Sequence, residues 1–184
     1  NFNPCFVLDL TATPKKESNI ISYVDAVQLK NEHMVKLPVI VYNRDSQSEV
    51  LIDAIDLRNK LEEIASAEYT KTGKYIRPIA LFQAQPKGKE DATTFEKLRD
   101  KLVDKGIPAE QIAIRTADVN ELKNTDLMSP SCPIRYIITV NALKEGWDCP
   151  FAYILASLAN KTSQVDVEQI LGRILRLPHT SQHT

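Results

Sequence analysis

The run Ile79-Ala80-Leu81-Phe82-Gln83, then Lys87-Gly88-Lys89-Glu90-Asp91, then an amphipathic segment over 93–105 closed by Lys105-Gly106 with Pro108 just beyond, decides the fold. Its first five residues are short and apolar enough for a buried strand. The charged pentad around a glycine reads as a solvated loop. The segment after it stops where a helix should, at a glycine followed by a proline. A second apolar, β-branched run lies at 112–115. Strand, helix and strand in that order form the crossover unit of a parallel sheet. Working outward, the same alternation gives candidate strands at 5–10, 39–42, 134–140 and 152–157 and candidate helices at 49–71 and 165–175, with Ser129-Pro130-Ser131-Cys132-Pro133 as a turn. The expected class is α/β, an open and mostly parallel sheet with helices on both faces. Such sheets gather ligands and partners at the C-terminal ends of their strands.

Composition bounds what this domain can do. The 184 residues suffice for one well-filled core and offer no obvious place to cut into two. A 43% hydrophobic and 26% charged composition predicts a folded chain. The formal net charge of -1 excludes a global positive field, so any contact with phosphates must be local. No apolar run reaches membrane-spanning length and no basic region with an apolar core opens the chain, so a cytoplasmic protein is expected. Cys5, Cys132 and Cys149 are widely spaced, and His33, His179 and His183 have no cysteine beside them, so no metal site is expected. The chain opens at Asn1 and runs at once into the apolar Phe6-Val7-Leu8, which leads us to expect a piece of a larger protein.

The last amphipathic segment reads Gln169-Ile170-Leu171-Gly172-Arg173-Ile174-Leu175-Arg176. At about 100° per residue, Gln169, Gly172, Arg173 and Arg176 share one side of a helix, and Ile170, Leu171, Ile174 and Leu175 fill the other. A mid-helix glycine costs about 1 kcal/mol against alanine, so Gly172 marks close approach to its backbone. Two guanidiniums about a turn apart can clamp a polyphosphate. The plainer role for such a pair is a solvated helix face.

The full Gln-x-x-Gly-Arg-x-x-Arg spacing resembles motif VI of superfamily 2 helicases. That resemblance implies that Arg176 is the arginine finger reaching the γ-phosphate of ATP on a facing lobe, with Arg173 its partner and Gln169 a polar contact in the same cleft. Upstream, Thr139-Val140-Asn141-Ala142-Leu143-Lys144-Glu145-Gly146-Trp147-Asp148 follows a candidate strand and resembles motif V. Thr139 and Asn141 are the expected contacts to a sugar-phosphate backbone. Gly146 allows close approach, and Asp148 can accept from a ribose hydroxyl or a motif VI arginine. Trp147 has the alternative role of filling the core. Thr11-Ala12-Thr13-Pro14 resembles motif III, which makes 1–14 the expected end of a first lobe and 15–184 the second RecA-like lobe. The strand ending at Gln83 with its loop resembles motif IV. Gln83, Lys87 and Arg115 are therefore further candidates for the nucleic-acid track, with Lys89 and Thr116 beside them.

Glu145-Gly146-Trp147-Asp148, read together with 169–178, looks like the restriction-subunit branch rather than the RNA helicases, whose motif V usually reads Arg-Gly-Leu/Ile-Asp. The resemblance implies the second lobe of an ATP-dependent DNA translocase or helicase, the restriction subunit of a type III endonuclease. Its implied partners are double-stranded DNA, the first RecA-like lobe and a methyltransferase that reads the site. ATP and magnesium would be held mainly by the first lobe, because no Gly-x-x-x-x-Gly-Lys-Thr/Ser loop or Asp-Glu-x-His box occurs here. This chain alone is therefore expected neither to hydrolyse ATP nor to cleave DNA. Two alternatives stay open: another superfamily 2 motor, such as a type I restriction translocase or a repair helicase, and a noncatalytic α/β interaction domain.

Overall fold

The computed structural model describes residues 19–22, 26–32, 35–36, 39–40, 42, 44–85, 94–140, 149–158 and 174–178. Its elements are α1 (Ala26–Asn31), α2 (Gln47–Thr72), β1 (Ile79–Gln83), α3 (Phe95–Asp104), a 3-10 turn (Ala109–Gln111), β2 (Ile112–Arg115), β3 (Tyr136–Thr139) and β4 (Ala152–Ser157). The strands form one open sheet in the order β2-β3-β1-β4, with every pairing parallel. The α/β class expected from the alternation is the class observed. Strands at 79–83, 112–115 and 152–157 stand where the sequence puts them, and the one expected over 134–140 is shortened to β3.

All residues of β1 and β3, the two central strands, are buried, as a parallel strand covered on both faces requires. On one face Ala80, Phe82, Ile112, Ile114, Tyr136, Ile138, Ile154 and Ala156 pack with Leu51 and Ala54 of α2 and Leu98 and Leu102 of α3. On the other, Ile79, Leu81, Ala113, Ile137 and Ala152 pack with Leu122, Cys149, Phe151 and Ile174. Among the described residues, then, the long helices cover one face only, where helices on both were expected. Crossover handedness accounts for the face that each described connection takes. The passage from β1 to β2 carries α3 across the first face, and the return from β2 to β3 runs the opposite way, which puts it on the second.

That return segment is a series of turns pinned by Arg77, which is 1% exposed. Its guanidinium donates to the carbonyls of Ser129 at 2.8 Å and Leu127 at 2.5 Å and lies 5.7 Å from the Phe151 ring centre.

Helix ends follow local chemistry. The Ser46 hydroxyl accepts from the Ser48 and Glu49 amides and starts α2 two residues before the expected Glu49. Gly73, at φ 70°, ends it in the left-handed region, its amide bonded to the Tyr69 carbonyl. Thr94 caps α3 through the Lys97 amide.

Two expectations need correction. No strand forms at the described positions of 39–42, where Val39, Ile40 and Tyr42 are 42%, 67% and 65% exposed. A β-branched run becomes a strand only when a sheet edge and a buried face receive it, and here neither does. The helix expected through Leu175 has Ile174 as its last described helical residue. Leu175 leaves the helix, and Arg176 forms an isolated antiparallel bridge with Val35. Leu177 precedes Pro178, a position disfavoured for helix. Arg176 therefore does not stand on a helical face. No helix among the described residues is long and apolar enough to cross a membrane.

Candidate functional site

Arg115, Thr139, Gln83 and Ser157 end β2, β3, β1 and β4, and they are register neighbours in that order across the sheet. Strand alternation turns all four to the face that carries Ala113, Ile137 and Leu81. The row reaches Ser157 through an irregularity at the start of β4. Ile79 pairs with Ala152 but Ala80 pairs with Ile154, so Tyr153 is an extra residue and the later register shifts by one. Without it, Ala156 would stand opposite Gln83. With it, the Ser157 hydroxyl and Gln83 Oε1 lie 3.0 Å apart, with the hydroxyl donating. Gln85, 8% exposed, extends the polar edge and donates its amide to the Leu158 carbonyl at 2.9 Å.

Two groups in the row lack a hydrogen-bond partner among the described residues. Thr139 is 1% exposed, and its Oγ1 is buried and unpaired; the Nε of Arg115 is in the same condition. A buried polar atom left unpaired costs about 1–3 kcal/mol, which is why nearly all are satisfied. The two residues that carry these atoms are register neighbours at the C-terminal edge of the sheet. The nearby carboxylate of Glu121 does not serve them. One of its oxygens accepts from the Ile114 amide at 2.7 Å and the other from Arg99 at 2.9 Å. Elsewhere, Arg58 Nη2 is ion-paired to Glu62, and Arg77, whose Nε has no hydrogen bond among the described residues, is bound to carbonyls through its other nitrogens.

The backbone that leads into Arg176 is held at the opposite edge. The Lys36 ammonium donates to both the Ala152 carbonyl at 2.8 Å and the Ile174 carbonyl at 2.7 Å, which sets this segment beside the N-terminal end of β4. At ~3.3 Å per residue, the length of β4 sets the Ala152 carbonyl that Lys36 bonds roughly 17 Å from Ser157. Arg176 is exposed, and the Lys36 amide bonds the Leu175 carbonyl at 2.6 Å. Beneath the Lys36 ammonium, 4.1 Å from the ring centre, sits Tyr153, whose hydroxyl is pushed above the ordinary tyrosine range by burial.

Of the residues singled out from sequence, the fold thus brings Gln83, Thr139 and Arg115 together and keeps Arg176 apart from them. Lys87, Asn141, Gly146, Asp148, Gln169, Gly172 and Arg173 lie outside the described residues, as do Trp147 and the segment 11–14. Ser157 and Lys36 were not anticipated. The signal for Ser157 was available, since it ends a candidate strand. Lys36 gave none, because it meets its partner Ile174 across 138 positions of sequence. A scan against protein-family models, a search of curated proteins and a search of solved structures each found no match to this chain.

Proposed function

We propose that this chain is the second RecA-like lobe of a superfamily 2 DNA translocase, with motifs like those of the restriction subunit of type III restriction enzymes. The observation that carries the reading is the polar row. Three residues chosen from separate strand ends as backbone contacts, Gln83, Thr139 and Arg115, are register neighbours on one face, and two of them hold buried atoms without partners. Hydroxyl, amide and guanidinium donors in a line suit the phosphates and sugars of a nucleic-acid strand and carry no sequence code. A chain of net charge -1 with a local cationic group is adequate for such a grip.

ATP and magnesium would be held mainly by the facing first lobe. This chain would contribute Arg176, whose exposed guanidinium is suited to the charge that builds on a γ-phosphate during transfer. Arg173, Gln169, Gly146 and Asp148 join it through the motif resemblance alone. The methyltransferase partner and the nuclease belong to the same proposal at the level of the whole enzyme.

The row is tested by duplex affinity measured across several sequences and salt concentrations in the protein carrying both lobes. Thr139→Val and Arg115→Met should weaken binding about equally for every sequence, and Arg115→Met should reduce the salt slope by about 1. Affinity and slope at wild-type values in both variants would contradict the assignment of the row.

A further inference from the structure

We propose that Lys36 is a positioning residue for Arg176, a role that rests on Arg176 acting as the arginine finger. Where the chain leaves the helix at Ile174, the terminal carbonyls have no helical partner, and a cation suits that negative end. Lys36 supplies it, with its ammonium bonded to the Ile174 carbonyl at 2.7 Å and to the Ala152 carbonyl of β4 at 2.8 Å. The adjacent backbone completes the clamp: the Lys36 amide bonds Leu175 at 2.6 Å, and Val35 bridges Arg176 itself. The Tyr153 ring supports the ammonium from below at 4.1 Å, and that ring stands there because of the extra residue in β4. The two residues preceding Arg176 are thus tied to the rigid sheet while its own side chain stays exposed. A guanidinium that must meet a transferring phosphoryl group gains from being fixed in advance, since a misplacement of about 1 Å can cost ~100-fold in rate.

The test uses the complete two-lobed enzyme and four variants, Lys36→Met, Lys36→Arg, Arg176→Ala and the Lys36→Met/Arg176→Ala pair. The readouts are DNA-stimulated kcat, KM for ATP and melting temperature. Lys36→Met should lower kcat by about 10- to 100-fold with KM and melting temperature near wild type. Lys36→Arg, which keeps two donors, should restore most of the turnover. Adding Lys36→Met to Arg176→Ala should cost nothing further, because both changes remove one contribution. Should Lys36→Met lower the melting temperature, Lys36→Gln takes its place and must show the same fall in kcat. Normal kcat in the Lys36 variants beside an impaired Arg176→Ala enzyme would overturn the proposal, as would a fall that persists in the Arg176→Ala background. An Arg176→Ala enzyme at full rate would instead remove the finger reading on which the proposal stands.

Discussion

In the proposed row, the Thr139 hydroxyl would serve binding at the expense of stability. Its Oγ1 is buried without a partner in the described structure, so the folded protein bears a desolvation cost that valine, of the same shape, would not. Thr139→Val should therefore raise unfolding stability by about 1 kcal/mol, read as a higher denaturant midpoint at constant slope, while duplex binding falls. A loss of stability would mean that the hydroxyl is already satisfied. Tyr153 gives a pH-dependent counterpart. Burial raises its folded pKa above the ordinary 10.0, so the folded state holds the phenolic proton more tightly than the unfolded chain does. The sign follows from linkage: stability is intact below about pH 10 and falls as pH rises from there toward the folded pKa. Tyr153→Phe should flatten part of that alkaline decline, which chemical denaturation at pH 8 to 11 would reveal. Identical declines in both proteins would show that the hydroxyl does not contribute.

At the scale of elements, legibility depended on how local the determining physics is. The strands at 79–83, 112–115 and 152–157 were readable because a buried parallel strand is a short apolar run, and α3 because Gly106 and Pro108 mark its stop. The run at 39–42 has the same composition but its described positions do not pair with the sheet, a fact no local pattern contains. The last helix was expected to carry Arg176 on its face. Beyond Ile174 the chain instead bonds Val35 and Lys36, far away in sequence. Gly73 isolates a local determinant that can be tested. A Cβ there would meet nothing within 4 Å, yet φ is 70°, so the cost of a side chain is conformational only. Gly73→Ala should destabilise by about 1 kcal/mol, and Gly73→Asn by less, because asparagine tolerates the left-handed region. Equal stability of all three in urea would show that the end of α2 frays without consequence.

At the largest scale, the described sheet separates two sets of contacts. Its C-terminal edge carries the Arg115, Thr139, Gln83 and Ser157 row, and its N-terminal edge holds the segment that ends in Arg176. Residues named from motif spacing fell into the row because motifs in α/β sheets sit where strands end, and register then aligns them. Their separation from Arg176 could not be read from sequence, since it depends on which edge the last segment packs against. In the proposed motor this separation is useful: a rigid sheet can link DNA held at one edge to a nucleotide sensed at the other. The most direct measurement is the DNA-stimulated ATPase of the complete enzyme with Arg176 replaced by alanine. A loss of turnover on the order of 10³-fold or more with DNA affinity retained is expected, and turnover at the wild-type rate would overturn the arginine-finger role of Arg176.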